Sequence, residues 1–480
     1  MIHCYQSNGY SIVMDVNSGA VHVVDDLVYQ LVPLLEPLVK EKKDKGEILD
    51  FVKAQQLPYT EEETAEAVDE ILLLAQEGQL YTEDIYENYI DSFKNRETVV
   101  KALCLHIAHD CNLACRYCFA EEGEYHGRRA IMSYEVGKKA LDFLVANSGN
   151  RTNLEVDFFG GEPLMNWHVV QQTIDYVHKQ EKKHGKKIKM SLTTNGLLLD
   201  KEKVKYLTDN HISLILSLDG RKEMHDRMRP GVHGEGTYDE IVKNLQYCVA
   251  NRKGEEYYVR GTFTRYNMDF TTDVIDMIDK GFPAVSMEPV VGEDTADYSI
   301  KEEDLPRVKA EYDRLAKLFI AREEEGRPFF FFHFNMDLWK GPCLPKRLRG
   351  CGAGHEYLAV VPNGDIYPCH QFVGREGYVI GNVYEGLKNF KMMRDFRMNH
   401  VFSKPECVDC WAKFFCSGGC HANNEAFAGD IHKPYHITCE IQKKRVECAM
   451  MIQAYNEMKK PKVMAQPGTY QAKKEAMEEK

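Results

Sequence analysis

The sequence predicts an α/β fold built around a partial (β/α)6 barrel, with a small N-terminal domain before it and a Cys-rich C-terminal domain after it. Two observations predict this arrangement. Between residues 98 and 289, six strand-like segments alternate with helix-length amphipathic segments, which favours a parallel sheet. Eleven of the fifteen cysteines fall in short, repeated spacings, and seven of those eleven lie beyond residue 350. The predicted regions are an N-terminal domain (1–95), the barrel (96–310), a bridging segment (311–342), the Cys-rich domain (343–450) and a C-terminal tail (451–480).

The N-terminal domain is predicted to be a β-hairpin followed by three short helices. The two strand candidates are rich in β-branched residues and are separated by an Asn-Ser-Gly turn signal. The third helix opens with Thr60 and, three residues later, Glu63, which form a capping box. Strands are expected at 10–15 and 20–24, helices at 27–39, 47–55 and 60–76, and a polar linker at 83–96. A hairpin with three helices resembles a winged helix-turn-helix module.

Each barrel strand candidate is followed by a helix-length segment. The six candidates are residues 100–108, 154–159, 188–193, 212–218, 257–263 and 284–287. In folds of this type the chemistry lies at the C-terminal ends of the strands. We therefore expect the motifs that follow these strands to form a single site. Beyond residue 342 the strand and helix periodicity fades, so that region is expected to be organised by bound metal rather than by a large apolar core.

Composition and charge exclude several classes of protein. The chain has 480 residues and a net charge of −13, from 61 Lys and Arg against 74 Asp and Glu, which argues against a nucleic-acid partner. The longest uncharged apolar run, residues 328–334, is far shorter than the ~20 residues of a membrane span, and no secretory signal is visible. We expect a cytoplasmic protein with no membrane partner, whose fifteen thiols are not paired as disulfides.

Three cysteines follow the first barrel strand in a C-x3-C-x2-C pattern: Cys111, Cys115 and Cys118. Three thiolates on one loop can hold three irons of a cubane iron–sulfur cluster, whereas full closure takes four. The fourth iron is then open to a small ligand, as in other metal sites with an open position. A zinc knuckle is the alternative interpretation of this spacing.

With Tyr117 inside it and Phe119 directly after it, this loop resembles the signature of the radical S-adenosylmethionine (SAM) enzymes. The resemblance implies that the open iron chelates the amino and carboxylate groups of SAM. An electron from the cluster then cleaves SAM to a 5′-deoxyadenosyl radical, which takes hydrogen from an unactivated carbon.

The resemblance also implies cofactor-binding roles for residues at the other strand ends. Glu162 of a Gly-Gly-Glu-Pro motif would receive the cofactor's ammonium, Ser217 its ribose hydroxyls and Arg229 its carboxylate, which suits a guanidinium fork. For Arg229 a surface ion pair is the alternative, and the Gly-Gly and Asn-Gly pairs are also ordinary turn signals. The full predicted set is Tyr117, Gly160, Gly161, Glu162, Thr194, Asn195, Ser217, Asp219 and Arg229.

The C-terminal cysteines resemble the SPASM extension of radical SAM enzymes, which carries two auxiliary [4Fe-4S] clusters. The resemblance implies one cluster on Cys343, Cys351, Cys369 and Cys420, and another on Cys407, Cys410, Cys416 and Cys439. With the first loop, this makes three [4Fe-4S] clusters. Zinc is the alternative for the C-x2-C pair. If Cys343 is not a ligand, one auxiliary cluster has a vacant iron that a substrate thiol could occupy.

His370 directly follows Cys369, where the sulfatase-maturing relatives have an Asp that acts as a base. A histidine can accept a proton near neutral pH, so His370 is the candidate catalytic base. A structural role is the alternative, and the departure from Asp counts against a sulfatase maturase.

The N-terminal domain resembles the peptide recognition element of ribosomal peptide maturases, which bind a leader peptide as an added strand. Residues 21–24 are the expected edge; a domain that only stabilises the barrel is the alternative. Over about residues 1–450, the chain is similar to the maturases of Cys-rich SCIFF peptides, in particular in YSIVMDVNSGAVHVVDDLVY and LCLHIAHDCNLACRYCFA. This implies a radical SAM oxidoreductase that joins a Cys sulfur to a carbon of an acceptor residue, typically Thr, in a precursor peptide.

An oxygen-sensitive enzyme of an anaerobic host is expected, with an external electron donor of the flavodoxin or ferredoxin type. Two other classes of protein stay open. One is a different SPASM enzyme, such as a sulfatase maturase or a carbon–carbon cross-linking enzyme. The other is a non-catalytic iron–sulfur electron carrier, which would not need the Gly-Gly-Glu-Pro motif, Ser217 or Arg229.

Overall fold

The computed structural model describes residues 1–94, 99–293, 295–336 and 343–459. Within them the strands, numbered β1 to β15 in chain order, are Ile2–Ser7, Tyr10–Asp15, Val21–Val24, Ala102–His109, Ala130–Ile131, Asn153–Gly160, Lys187–Thr194, Ser213–Ser217, Tyr257–Phe263, Ala284–Pro289, Phe330–Phe331, Tyr357–Val360, Asp365–Tyr367, Gly381–Asn382 and Gly386–Leu387. The α-helices, numbered α1 to α17, are Asp26–Lys40, Lys45–Ala54, Glu61–Gln76, Ile90–Lys94, Tyr134–Ala146, Trp167–His184, Lys201–Asp209, Lys222–Met228, Tyr238–Ala250, Thr271–Asp279, Leu305–Glu324, Leu344–Arg349, Phe390–Met398, Pro405–Val408, Lys413–Cys416, His421–Ala428 and His436–Lys459. None of these helices is long and apolar enough to cross a membrane.

The N-terminal region contains an antiparallel sheet of three strands, in the order β1-β2-β3, followed by α1 to α3. The expected hairpin is present as β2 and β3, and Thr60 and Glu63 form the expected capping box at α3. The sequence analysis missed β1, which pairs along its whole length with β2, from Ile2 opposite Asp15. A strand with one buried face is recognised by alternating apolar and polar residues. In β1 this alternation is not visible, because one of the buried residues is the polar Ser7.

The expected linker after this domain is not an extended polar segment. Residues 90–94 form α4, and Phe93 is buried in a cluster with Leu348 and Val401 of the C-terminal region. Residues 95 and 96, where the predicted domain boundary falls, lie outside the described part of the chain.

The predicted α/β fold with a parallel sheet is confirmed. All six strand candidates are present as β4 and β6 to β10, and they lie side by side in the order β10-β9-β8-β7-β6-β4. Each neighbouring pair is parallel. Alternate residues of β6, such as Val156 and Phe158, are buried on the face that carries the helices. The other face is left for polar side chains such as Asp157.

Two further strands extend this sheet at its ends. Strand β12 of the Cys-rich region pairs in parallel with β4, with Tyr357 opposite Ala102. Strand β11 pairs in parallel with β10. The barrel and the Cys-rich region therefore share one continuous sheet of twelve strands.

The expectation that the C-terminal region lacks an apolar core is wrong. Leu358, Ile366 and Val446 belong to the same buried cluster as the barrel core. The C-terminal tail predicted to begin at 451 is also corrected, since α17 continues to Lys459 and buries Met451 and Tyr455. Residues 460–480 lie outside the described part, as do 337–342 of the predicted bridging segment. The other end of that segment, at 310/311, falls inside α11.

Candidate active site

The loop after β4 holds the first three predicted ligands in a half-buried position. Its backbone is fixed by the segment after α8, because the amide of Ala114 donates to the carbonyl of Pro230 at 2.9 Å. Burial raises the pKa of Cys111 to about 12 and that of Cys115 to about 11, and Cys118 lies close enough to contribute to both shifts. The three thiols therefore form one group, and binding to iron would be needed to hold them as thiolates.

The Gly-Gly pair at the end of β6 allows the segment from Ala108 to Asp110, which leads into the cysteine loop, to pass directly over the end of this strand. A side-chain carbon on Gly160 would lie 2.3 Å from the carbonyl oxygen of Ala108, and one on Gly161 would lie 2.2 Å from that of Asp110. Gly160 also has a φ of +130°, which disfavours any side chain. The amides of Gly161 and Glu162 donate to these same two carbonyls at 2.8 and 2.9 Å.

Glu162 is fully buried and links three of the predicted motifs. Its carboxylate accepts hydrogen bonds from the amide of Leu164 (3.0 Å), the hydroxyl of Thr194 (2.9 Å) and the amide of Asn195 (2.8 Å). Burial raises the pKa of Glu162 to about 7, although these hydrogen bonds lower it. Asn195 in turn donates to Oδ1 of Asn112 at 2.7 Å, inside the cysteine loop.

Tyr117, Asp219 and Arg229 meet in a buried polar group beside the cysteine loop. The Tyr117 hydroxyl donates to Asp219 Oδ2 at 2.6 Å and accepts from Arg229 Nη1 at 3.0 Å. Asp219 Oδ1 also accepts from the amide of Thr262 at 3.0 Å. Ser217 lies at the end of β8, two residues before Asp219, and is half-buried.

Two buried donors at this place have no partner within the described residues: Nε of Arg229 and Nδ2 of Asn112. A buried donor without an acceptor is costly, so both are positioned to bind an anionic or carbonyl oxygen. Together with the three thiols, they fit an iron–sulfur cluster with a carboxylate-bearing ligand at its side.

The C-terminal thiols separate into two groups. Four of them line a cavity of about 260 Å³: Cys407, Cys410, Cys416 and Cys439. We refer to this as the outer thiol group. The inner group consists of Cys351, Cys369 and Cys420. Burial is the largest cause that raises the pKa of Cys369, and the neighbouring Cys420 and Cys351 raise it further.

Cys343 is exposed and stands at the N-cap position of α12, where its side chain makes no capping hydrogen bond. Cys351 lies beyond the other end of this helix, whose six residues span about 9 Å at 1.5 Å per residue. The role of Cys343 as a ligand stays a prediction. Among the residues that the structure describes, no three His, Cys, Asp or Glu side chains converge on a point that could hold a single metal ion; the thiolates of a cubane each bind a different iron.

His370 lies between the barrel and the Cys-rich region. Its Nδ1 is 3.0 Å from the Tyr357 hydroxyl, and its ring is 5.0 Å from that of Phe159 and 5.8 Å from that of Phe119. Burial, with a smaller contribution from Arg260, lowers the pKa of His370 to about 4. The side chain of His370 is partly exposed, and its role as a catalytic base stays a prediction.

Sequence reasoning missed three polar residues of this site. His106 and His109 of β4 have Nδ1 and Nε2 3.0 Å apart, and His109 stacks on Tyr125. Asn112 joins the cysteine loop to Asn195. Their position in LHIAHDCN, directly before and inside the cysteine motif, was the available signal.

Comparison with known families identifies the class of protein. Residues 105–264 match the Radical SAM superfamily, and residues 351–411 match the iron–sulfur cluster-binding domain called SPASM. The chain therefore contains a radical SAM domain followed by a SPASM domain. Such a combination implies SAM and more than one [4Fe-4S] cluster as cofactors.

Individual relatives are distant. The chain is 22% identical over 383 residues to the radical SAM cyclopropyl synthase TigE of Paramaledivibacter caminithermalis, covering 74% of this chain and 77% of the relative. It is 25% identical over 336 residues to a cysteine-type anaerobic sulfatase-maturating enzyme of Clostridium novyi, covering 66% and 86%.

Two solved structures share the fold. The structure described as native anSMEcpe with bound AdoMet and Cp18Cys peptide has a TM-score of 0.61 at 21% identity and covers 74% of this chain and 99% of its own. Streptococcus suis SuiB bound to S-adenosylmethionine has a TM-score of 0.50 at 17% identity and covers 91% and 98%.

Proposed function

We propose that this protein is a radical SAM maturase that joins Cys sulfurs to carbon atoms of acceptor residues, typically Thr, in a ribosomally made, Cys-rich precursor peptide. One observation carries the proposal: a three-thiol loop and a buried polar group lie at the ends of parallel strands, in a sheet that continues into a second region with two more groups of thiols. A relative that matures sulfatases and a structural neighbour with a bound peptide support a peptide or protein substrate. The resemblance to SCIFF maturases supports thioether formation.

The proposed ligands follow the three thiol groups. Cys111, Cys115 and Cys118 would hold the cluster that binds SAM. The outer thiol group would hold one auxiliary cluster. The inner group, Cys351, Cys369 and Cys420, would hold the other, with Cys343 as its fourth ligand.

When bound, SAM and its cluster supply radical abstraction of hydrogen. In this chain, Arg229 would bind the carboxylate of SAM through its unpartnered Nε, and Tyr117 and Asp219 would hold the guanidinium in place. Glu162 would orient Thr194 and Asn195, which its carboxylate already binds. Ser217, at the end of β8, would face the ribose.

Formation of a C–S bond from a C–H and an S–H group removes two hydrogens from the peptide. One leaves as a hydrogen atom, and the other as a proton and an electron. The reaction therefore needs an electron acceptor, which the auxiliary clusters would provide. We also propose a flavodoxin- or ferredoxin-type donor and a cytoplasmic location, where reducing conditions keep thiols free.

The leader of the precursor peptide would bind to the N-terminal domain. Among the strands of the described residues, β3 pairs with β2 alone, so the backbone of Val21–Val24 has an edge for one more strand. Val23 is partly exposed there. Main-chain hydrogen bonds along such an edge give affinity without demanding a particular sequence.

The test is a mass spectrum of the precursor peptide encoded next to this gene, after anaerobic incubation with the reconstituted enzyme, a reductant and SAM. We expect loss of two hydrogens for each cross-link, a Cys that can no longer be alkylated, and release of 5′-deoxyadenosine. A peptide without its leader is the control and should react more slowly. Release of 5′-deoxyadenosine with an unchanged peptide would refute the substrate and leave the enzyme class in place.

A sulfatase maturase is the second candidate, favoured by the 25% identity to the Clostridium novyi enzyme. Against it, His370 stands where the sulfatase-maturing relatives have an Asp that acts as a base. A Cys-containing sulfatase peptide, incubated in the same way, separates the two candidates.

A further inference from the structure

A lysine is buried between the two C-terminal thiol groups. Lys404 is 0% exposed and is among the largest fully buried side chains. It caps the start of α14, three residues before Cys407. Neither the sequence motifs nor the proposed cluster ligands account for a lysine at this place.

The Lys404 ammonium has very little in the protein to balance it. Nζ donates to the carbonyl of Gly418 at 2.6 Å, and it has no carboxylate partner within the described residues. An ammonium has three donors, and burying an unpaired charge is strongly unfavourable. A bound anion near Lys404 would offset this cost.

Nζ of Lys404 binds the carbonyl of Gly418, which lines the outer cavity and lies in the chain between Cys416 and Cys420. Burial lowers the pKa of Lys404, whereas Cys407, Cys416, Cys439 and Cys420 raise it. Three of these thiols belong to the outer group and one to the inner group. A cluster bound by four thiolates is anionic and becomes more negative on reduction, so a fixed positive charge beside it favours the reduced state.

We propose that Lys404 raises the reduction potential of the outer auxiliary cluster and so makes that cluster the electron acceptor of the reaction. The inference rests on the proposed cluster ligands. Lys404 touches neither substrate nor SAM and acts only through the cluster. The lysines that line the cavity differ from it, because Lys413 is paired with Asp84, Lys443 is paired with Glu440, and Lys433 is exposed.

The test compares reduction potentials by anaerobic redox titration followed by electron paramagnetic resonance. Cys439→Ala identifies the signal of the outer cluster. Lys404→Met removes the charge, and Lys404→Gln removes the charge but keeps a hydrogen-bond donor. Lys433 also lines the outer cavity but is exposed, so Lys433→Met is the matched control, whose charge is screened by water.

We expect Lys404→Met and Lys404→Gln to lower the equilibrium constant for reduction of the outer cluster at least tenfold, which is about 59 mV for one electron. Lys433→Met should change it much less. Equal potentials in Lys404→Met, Lys404→Gln and the parent protein, with iron content retained, would overturn the inference and leave the cluster proposal in place. Absence of any signal that depends on Cys439 would instead overturn the cluster proposal.

If Lys404→Met and Lys404→Gln lose the outer cluster, the variant Lys404→Arg tests the inference. If Lys404→Arg keeps the iron that Lys404→Met and Lys404→Gln lose, its reduction potential decides: a potential equal to that of the parent protein supports the inference, and one lower by about 59 mV or more overturns it. If Lys404→Arg loses the iron as well, the side chain acts by packing, and the inference falls.

Discussion

Gly161→Ala should disable the first cluster although it adds only one carbon atom. The new Cβ would lie 2.2 Å from the carbonyl oxygen of Asp110 and 2.7 Å from its carbonyl carbon, whereas ordinary contacts are 3.4–4 Å. The backbone before Cys111 would have to move by roughly 1 Å to restore normal contacts. That movement also breaks the hydrogen bond from the Glu162 amide to Asp110. Overpacking of about 1–3 kcal/mol and a lost hydrogen bond of about 1 kcal/mol together predict about 2–4 kcal/mol lower stability.

The measurements are iron content per chain, the rate of 5′-deoxyadenosine release with SAM, and urea unfolding. Gly185→Ala is the control, since Gly185 has a φ of +65° but a Cβ there meets nothing within 4 Å. It should cost stability while keeping the cluster. We expect Gly161→Ala to lose the iron of one cluster and to release at least tenfold less 5′-deoxyadenosine. Equal iron content and rate in the two variants would refute the steric reasoning.

Three more variants test other parts of the site. Tyr117→Phe removes two hydrogen bonds to buried charged groups, each worth about 1.5–3 kcal/mol. The free energy of unfolding should therefore fall by about 3 kcal/mol or more, and SAM should bind more weakly in a titration. Unchanged SAM affinity would contradict the assigned role. Glu162→Gln should remove a pH dependence of the free energy of unfolding. The pKa of Glu162 is raised from 4.5 to about 7 in the folded protein. Its contribution to stability is therefore present below pH 4.5, and about 3 kcal/mol of it is lost as the pH rises to 7. Urea unfolding of both proteins without SAM would show this as a difference that changes between pH 4.5 and 7; a constant difference would exclude it. Cys439→Ala should lose roughly four irons per chain, as for one [4Fe-4S] cluster, and still release 5′-deoxyadenosine without peptide; loss of that release would show that the outer group is not separate from the SAM site.

The barrel could be predicted from the sequence because its strands are continuous apolar segments with polar ends. The bounds of β9, Tyr257–Phe263, agree with the prediction, and those of the other five differ from it by at most two residues at either end. Strand β1 could not be predicted, since its place is set by pairing with β2 and not by its own alternation. Helix α17 shows almost no amphipathic pattern because it is packed on several sides, so periodicity could not reveal its length.

The site was predictable as a list of residues but not as a set of contacts. Tyr117, Asp219 and Arg229 were each expected near SAM, yet the hydrogen bonds that join them span more than 100 residues of chain. The ring contacts of His370 with Phe119 and Phe159 likewise join distant parts of the chain. Lys404 gave no signal at all, because the sequence does not show that a lysine is buried.

Because β12 pairs with β4, the barrel region cannot be separated from the Cys-rich region without exposing a strand edge. A parallel sheet that does not close leaves two edge strands, whose free amide and carbonyl groups can pair with another chain. Here the edge at β4 is covered by β12, and the edge at β10 is covered by β11. A chain that ends after β10 would expose both edges along an apolar sheet and would be prone to aggregate. The Cys-rich domain thus protects one edge of the barrel sheet, and the two regions are expected to fold as one unit.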